Sequence, residues 1–194
     1  MVVYDLFMEP FERVGLRRLR KKLIPEARGK VLEIGAGTGA NLKYYDEKRV
    51  SSLVMTDREL KRSPLEKKRN QAQRAFDISL KEEDVMKLAF PAGSFDTVVF
   101  TLVFCTVPDV KTGLEEIKRV LKKDGNIIFI EHIRPETKVM GKTFDRLTPA
   151  WKKVAKGCHL NRETKKMLEF NGFELKVEEK IMSNIFIGGT GNIK

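Results

Sequence analysis

The run Phe95–Val103 (FDTVVFTLV) constrains the fold most, because apolar and β-branched side chains fill most of its positions. Such a strand is typical of the centre of a parallel sheet, where helices cover both faces. Apolar strands are also predicted at 30–34, 52–56, 76–80 and 126–131, and residues 173–181 and 184–188 indicate a final hairpin. Because helical patterns alternate with these strands, the chain is predicted to be α/β. It should form a Rossmann-like, doubly wound, mostly parallel seven-stranded sheet with a C-terminal antiparallel hairpin.

The helical patterns between the strands carry start and stop signals. Ser63–Glu66 and Thr112–Glu115 match the capping box, in which a hydroxyl and a carboxylate satisfy free backbone N–H groups. Thr148-Pro149 is expected to interrupt a later helix, because proline lacks a backbone N–H. Helices are predicted near 9–23, 40–46, 63–74, 112–124, 138–156 and 161–170.

The first strand ends in a glycine-rich turn, residues 33–39 (EIGAGTG). Glycines let the backbone turn sharply and let a ligand approach it closely. Because Gly35, Gly37 and Ala40 also satisfy the dinucleotide pattern G-x-G-x-x-G/A, NAD is one candidate ligand.

Acidic residues near this turn favour a different ligand. Glu33 precedes the first glycine by two residues, Asp57 ends the second strand, and Asp84 follows the third. Carboxylates repel a pyrophosphate and attract a cation, and no lysine or arginine stands beside the glycines in the sequence. The pattern therefore favours S-adenosylmethionine, which carries a sulfonium and an amino group but no phosphate.

These segments resemble the class I S-adenosylmethionine-dependent methyltransferases, in the branch of the ubiquinone/menaquinone-type C-methyltransferases. LEIGAGTG (32–39) resembles the family's first motif, and MTDREL (55–60) resembles the acidic end of its second strand. Residues 82–99 and 107–132 are similar to its later motifs, and residues 145–174 resemble a narrower group that includes alkyl-thiol methyltransferases.

The resemblance implies roles around the glycine turn. Gly35, Gly37 and Gly39 would pass under the methionine moiety of the cofactor, and Ala36 belongs to the same site. Glu33 would lie near the ammonium group of that moiety.

Further cofactor residues are implied at the ends of the next strands. Asp57 would accept both ribose hydroxyls, with Arg58 beside it. Asp84 would accept from the adenine amine, the backbone of Val85 would face the ring, and Thr101 would border the methyl group.

Few side chains are candidates for a general base. His132 ends the fifth predicted strand, where doubly wound folds place their ligands, although a structural hydrogen bond is the alternative. His159 and Cys105 are weaker candidates, and Cys105 is interpreted as a small apolar filler. Two cysteines, Cys105 and Cys158, should make neither a disulfide framework nor a four-ligand zinc site, so no metal is expected.

We expect a single methyltransferase domain over residues 1–194. It comprises an N-terminal lid helix at 1–29, a cofactor-binding core at 30–132, and substrate-side helices with the terminal hairpin at 133–194. Aromatic and basic side chains mix in Val2–Leu23 and Lys138–Lys156. These segments either cover a small acceptor or pack against the sheet.

The leading hypothesis is transfer of a methyl group to a small, apolar acceptor by in-line displacement, leaving S-adenosylhomocysteine. A thiol, oxygen, nitrogen or carbon atom could accept the methyl group. The net charge of +11 also admits a nucleic-acid methyltransferase, which is less favoured because the basic residues are spread along the chain. A catalytically silent S-adenosylmethionine-binding protein is the third hypothesis.

The sequence also predicts a setting for the protein. No uncharged run approaches the ~20 residues that a transmembrane helix needs. The two cysteines suit a reducing compartment, so a cytoplasmic location is expected. The oligomeric state is left open.

Overall fold

The computed structural model describes residues 15–60, 62–72, 74–155, 157–182 and 184–194. The predicted lid up to residue 14 lies outside these residues. The described strands are β1 (Gly29–Ile34), β2 (Val50–Asp57), β3 (Asp77–Glu82), β4 (Phe95–Thr101), β5 (Leu121–His132), β6 (Phe173–Ile181) and β7 (Phe186–Ile193). The described α-helices are α1 (Arg17–Leu23), α2 (Arg62–Ala72), α3 (Val110–Val120), α4 (Lys138–Val154) and α5 (Thr164–Phe170), and 3-10 turns lie at Ile24–Glu26 and Leu42–Tyr44.

The seven strands form one sheet in the order β3-β2-β1-β4-β5-β7-β6. Strands β1 to β5 are parallel, and β7 runs antiparallel between β5 and β6. The predicted fold class is thereby confirmed. The strand order reverses between β1 and β4, and in open α/β sheets the crevice at the carboxyl ends of such strands is where ligands bind.

The central strand β4 is buried on both faces, as its sequence predicts. Val99 belongs to one core layer together with Leu19 of α1, and Phe100 belongs to the opposite layer together with Leu114 of α3. The rings of Phe100 and Phe104 meet edge to face with centroids 5.0 Å apart. Each large apolar side chain buried in this way contributes ~1.5–3 kcal/mol, so the sheet is a firm support for the loops at its edge.

The segment after the glycine loop differs from the prediction. A helix was expected at 40–46, but only the 3-10 turn Leu42–Tyr44 forms. The guanidinium of Arg74 donates to the carbonyl oxygens of Leu42 at 3.0 Å and of Tyr45 at 3.5 Å. These carbonyls therefore have partners without a further helical turn, which the local sequence does not reveal.

Two predicted helix boundaries were also wrong. Helix α3 begins before Thr112, because the carboxylate of Asp109 accepts hydrogen bonds from the Thr112 N–H at 3.1 Å and from its hydroxyl at 2.7 Å. Helix α4 continues through Pro149 without the expected break. Pro149 is exposed, so water can reach the carbonyl that its missing N–H leaves free.

Candidate functional site

The glycine loop joins β1 to the 3-10 turn at the edge of the sheet. Gly35, Gly37 and Gly39 have φ angles of 67°, 53° and 72°, a region that favours glycine. A Cβ atom at Gly35 would lie 2.5 Å from Cγ2 of Val103, so no side chain fits there. A Cβ atom at Gly37 would meet nothing closer than the Gly35 carbonyl oxygen at 4.0 Å. The loop is therefore open at Gly37, where a ligand can approach the backbone.

Hydrogen bonds hold this loop against β2. The N–H of Ala36 donates to the carbonyl of Thr56 at 2.8 Å. The carboxylate of Asp57 accepts from the N–H of Gly37 at 2.9 Å and from the N–H of Glu59 at 3.1 Å. Asp57 thus lies directly beside the loop, at the end of β2, where its proposed role requires it.

Glu33 is a buried carboxylate below the loop, with 2% of its surface exposed. It accepts hydrogen bonds from the Asn41 amide at 2.9 Å and from the Tyr45 hydroxyl at 2.8 Å. Burial raises the pKa of Glu33 to about 7, although both hydrogen bonds lower it. Burial, together with the Glu33 charge, raises the pKa of Tyr45 as well. Near pH 7 a small change in the surroundings of Glu33, such as the arrival of a cation, can switch its protonation.

Asn41 joins Glu33 to the end of β4. Its amide also donates to the hydroxyl of Thr101 at 3.1 Å, and its side-chain oxygen accepts from the guanidinium of Arg20 in α1. The structure thereby places Thr101 beside Glu33. Sequence reasoning missed Asn41, Tyr45 and Arg20, and no local signal marked them, because their partners are distant along the chain.

The remaining predicted cofactor residues follow β2 and β3. Nε of Arg58 lies 3.9 Å from a carboxylate oxygen of Asp84, which brings these two residues together. The other Asp84 oxygen accepts from the N–H of Met86 at 2.9 Å and so fixes the turn. The side chain of Val85 is buried in the core, which leaves its backbone for the role predicted.

A cation that the sequence did not predict also lies at the loop. Nζ of Lys68, in α2, donates to the carbonyl oxygen of Thr38 at 2.6 Å. No lysine or arginine is next to the glycines in the sequence, as stated above. In the folded chain, however, Lys68 lies against the glycine loop. The ammonium group of Lys68 is thus hydrogen-bonded to the backbone of the loop itself.

A second group of side chains lies at the same edge of the sheet, after β4 and β5. One ligating atom from each of Cys105, His132 and Cys158 lies within 4.8 Å of the others. Nε2 of His132 is 3.2 Å from Sγ of Cys158. The Cys105 thiol and then the His132 ring lower the pKa of Cys158. The structure therefore places the predicted base His132 in a sulfur-containing cluster.

The acid before His132 positions the turn that carries Cys105. One oxygen of Glu131 accepts the N–H groups of Val103 at 2.8 Å and Phe104 at 3.1 Å. Burial raises the pKa of Glu131 to about 7, against the effect of these two hydrogen bonds. Among the described residues, the other oxygen of Glu131 and Nδ1 of His132 are buried without a hydrogen-bond partner.

A cavity also lies away from the glycine loop. It has a volume of about 520 Å³ and is lined by residues such as Lys30, Asp77 and Phe95 at the amino-terminal ends of the parallel strands. Since it is at the opposite edge from the glycine loop, it does not form part of the site.

The second segment predicted to cover the acceptor, Lys138–Lys156, contains α4, although its covering role stays a prediction. Val139 and Val154 expose more than three quarters of their surface, and Leu147 about half. Within the described part of the chain, no helix is both long and apolar enough to cross a bilayer.

A glycine loop with two carboxylates at the point of strand reversal defines a class I methyltransferase, and sequence comparison agrees. The family described as "Methyltransferase domain" matches residues 32–129, which is half of the chain. The chain belongs to this family of S-adenosylmethionine-dependent methyltransferases.

Individual methyltransferases are also similar to this chain in sequence. Thiol S-methyltransferase TMT1A of Homo sapiens is 33% identical over 183 residues, which are 91% of this chain and 73% of that protein. TMT1B of Rattus norvegicus is 36% identical over 144 residues, 72% of this chain and 57% of that protein. UbiE, the ubiquinone/menaquinone biosynthesis C-methyltransferase of Cellvibrio japonicus, is 30% identical over 153 residues, 73% of this chain and 60% of that protein. The chain thus spans less than two thirds of the rat and Cellvibrio proteins.

A solved structure supports the fold. The DhpI–SAH complex superposes with a TM-score of 0.65 at 17% identity, covering 99% of this chain and 88% of that chain. At this identity the likeness shows the fold alone.

The residues present fit S-adenosylmethionine. The loop is open at Gly37 and offers room beside its backbone. Glu33 and Asp57 offer negative charge for a cationic ligand with hydroxyl groups. The loop leads into one short 3-10 turn, so the site lacks the long helix N-terminus on which dinucleotide sites hold a pyrophosphate.

Proposed function

We propose that the chain transfers the methyl group of S-adenosylmethionine to the sulfur atom of a small apolar thiol, leaving S-adenosylhomocysteine. The observation that carries the proposal is the open glycine loop between the carboxylates of Glu33 and Asp57. The choice of a thiol is supported by the relatives that are named thiol S-methyltransferases.

When bound, the cofactor supplies both the activated methyl group and the leaving group. The residues of the chain have the task of binding and orientation. Ionised Glu33 attracts the cationic cofactor, and Asp57 offers its carboxylate to the ribose hydroxyls. Thr101, at the end of β4, would border the methyl group. Fixing an acceptor in line there is worth up to ~7–11 kcal/mol of the barrier.

A thiol acceptor does not require a general base in such a site. With an ordinary pKa of ~8.5, a thiol is a few per cent thiolate at pH 7, and the thiolate is a strong nucleophile. Alcohols and amines would need a definite base, and His132, the predicted base, is already engaged with Cys158. The geometry therefore favours sulfur over oxygen or nitrogen.

A cytoplasmic location belongs to the same proposal. Cys105 and Cys158 are both free thiols although their sulfur atoms lie within 4.8 Å. Neighbouring thiols of this kind persist in a reducing compartment.

Calorimetric titration with S-adenosylmethionine, S-adenosylhomocysteine and NAD tests the cofactor. We expect micromolar affinity for the two adenosyl compounds and none for NAD. Asp46→Asn is a matched control for Asp57→Asn. Asp46 also accepts a backbone N–H two residues ahead, that of Lys48 at 2.9 Å, but it precedes the amino end of β2, whereas Asp57 ends that strand.

The acceptor is tested with benzyl thiol, benzyl alcohol and benzylamine, which differ only in the accepting atom. Transfer of a labelled methyl group should occur to the thiol alone. Transfer to the alcohol or amine instead would refute the choice of sulfur. Cofactor binding without transfer to any acceptor would favour a silent binding protein, and a steeply salt-dependent affinity for RNA would favour a nucleic-acid substrate.

A further inference from the structure

Three potential metal ligands converge from separate parts of the chain. Cys105 follows β4, His132 ends β5, and Cys158 follows α4. Their ligating atoms, Sγ, an imidazole nitrogen and Sγ, lie within 4.8 Å of one another. Cys105 and His132 are buried, whereas Cys158 is partly exposed. One side of the group is therefore closed by protein and the other is accessible.

The spacing is suitable for a tetrahedral ion. With Zn–S near 2.3 Å and Zn–N near 2.0–2.1 Å, tetrahedral ligands lie roughly 3.6 Å apart for N and S and roughly 3.8 Å apart for two S atoms. Nε2 of His132 and Sγ of Cys158 are already 3.2 Å apart, so a shift of a few tenths of an ångström admits an ion between them. Two thiolates and one imidazole also balance the charge of a divalent cation, so a loaded site of this kind is neutral.

The surrounding contacts hold the three ligands in place. Glu131 accepts the two N–H groups before Cys105, those of Val103 and Phe104. The N–H of His159, next to Cys158, donates to the carbonyl of Cys105 at 2.9 Å. These bonds connect the turn after β4 to β5 and to the segment after α4. Supporting shells of this kind orient the ligands of metal sites.

We propose that Cys105, His132 and Cys158 bind a zinc-type divalent ion whose open fourth position receives the acceptor thiol as a thiolate. This inference rests on the proposed function, because it concerns the acceptor side of the same site. Three protein ligands with one open position are the usual arrangement of catalytic zinc, and a set of two cysteines and one histidine is among those known. Only three residues separate Thr101, which contacts Asn41 of the cofactor side, from Cys105.

The proposed step balances without a further reactant. The acceptor thiol R–SH loses its proton to solvent as its sulfur binds the ion. The sulfur lone pair then attacks the methyl carbon, and the bond from that carbon to the sulfonium breaks with its electron pair left on the cofactor sulfur. The products are the thioether R–S–CH₃ and neutral S-adenosylhomocysteine. A thioether binds zinc more weakly than a thiolate does, so the product can leave.

Metal binding is tested on the whole chain, reduced and freed of metal by a chelator. We expect one Zn²⁺ per chain, and one Co²⁺ with the intense absorption of cobalt–thiolate bonds. Cys158→Ser and His132→Gln should each lower the affinity for Zn²⁺. The loss should be at least the ~10–100-fold that removal of a residue supporting a metal ligand costs. His159→Gln removes the other histidine of the chain and should leave the affinity within about twofold of that of the parent chain.

The parent chain itself provides a readout that does not depend on the folding of variants. Bound Zn²⁺ should slow alkylation of Cys158 at least tenfold, and adding benzyl thiol should change the Co²⁺ spectrum. Absence of stoichiometric metal, or a ready Cys105–Cys158 disulfide in place of metal, would overturn the site. If benzyl thiol leaves the Co²⁺ spectrum unchanged, the proposed binding of the acceptor at the open position is overturned.

The two proposals fail in different ways. Methylation of benzyl thiol that continues unchanged after complete removal of metal would refute the metal site and leave the proposed function standing. One thiolate-bound metal per chain, with methylation only of an alcohol or amine, would refute the thiol acceptor and its binding to the metal.

Discussion

Replacing Glu33 with glutamine should stabilise the chain above pH 7 and at the same time weaken cofactor binding. Glutamine has the shape of the protonated acid and removes the buried charge. Its oxygen can still accept from Asn41, and its amide can donate to the Tyr45 hydroxyl, which is both donor and acceptor. The substitution therefore tests the charge of Glu33 and leaves the packing intact.

The magnitude follows from the pKa of Glu33, about 7 in the folded chain against an ordinary value of 4.5. Between these two values the folded chain holds a proton that the unfolded chain has released, so the stability of the parent chain falls as the pH rises. The whole decline corresponds to about 3 kcal/mol, is complete just above pH 7, and should be missing from Glu33→Gln.

Urea unfolding of the parent chain and of Glu33→Gln at pH 5 and pH 8 measures this effect. The free energy of unfolding of the variant, relative to the parent chain, should be larger at pH 8 than at pH 5 by about 2–3 kcal/mol. Glu115→Gln, on the exposed side of α3 with Lys111 at 3.8 Å, should change by less than about 0.5 kcal/mol at either pH. An equal effect of Glu33→Gln at both pH values would refute the argument that Glu33 is buried with a raised pKa.

Calorimetry completes the test of Glu33. A cationic cofactor favours the ionised carboxylate, so binding to the parent chain near pH 6 should release a proton, and the heat of binding should depend on the ionisation enthalpy of the buffer. Glu33→Gln should show no such release and at least about tenfold lower affinity, equal to about 1.4 kcal/mol. Identical proton release by both proteins would show that another group titrates.

Further substitutions test the loop and the core. Gly37→Ala should cost about 1–2 kcal/mol of stability for the positive φ and lower the affinity for S-adenosylhomocysteine at least tenfold by calorimetry, because the new methyl group fills the open side of the loop. Gly35→Ala should be more destabilising in urea unfolding, by roughly 2–4 kcal/mol, because its methyl group also meets Val103. Asp57→Asn should lower the affinity for S-adenosylmethionine at least tenfold. The urea midpoint should change little, since the amide oxygen of asparagine can still accept the hydrogen bond from the loop. Phe100→Ala should cost ~3–5 kcal/mol by the same unfolding assay, because Phe100 is fully buried in β4.

The fold could be predicted from the sequence because its signals are local and repeated. The apolar run at 95–103 identified the central strand, and the positions of the strands relative to the glycines located the ligand edge of the sheet. Two features that the sequence did not reveal depend on partners farther along the chain. The turn at Leu42–Tyr44 relies on Arg74, and the environment of Glu33 relies on Asn41 and Tyr45.

The cluster of Cys105, His132 and Cys158 likewise could not be predicted from the sequence. The sequence separates Cys105 from Cys158 by 53 residues, and two cysteines alone argued against a metal. The third ligand, His132, lies on a different strand, so the group exists only after β4 and β5 are paired in register. Local spacing cannot reveal a site whose ligands each come from a different element.

The topology explains why the acids and the sulfur cluster share one edge of the sheet. Parallel strands bring all their carboxyl ends to the same side, so residues at or just after the ends of β1, β2, β4 and β5 share that edge. Glu33 and Asp57 come from the first pair of strands and make the cofactor side negative. Cys105 and His132 come from the second pair and place soft ligands near the end of β4, where the hydroxyl of Thr101 accepts a hydrogen bond from Asn41 on the cofactor side. The carboxylates suit a cofactor with a cationic sulfonium. The sulfur and imidazole ligands suit an acceptor thiol, which readily becomes an anion.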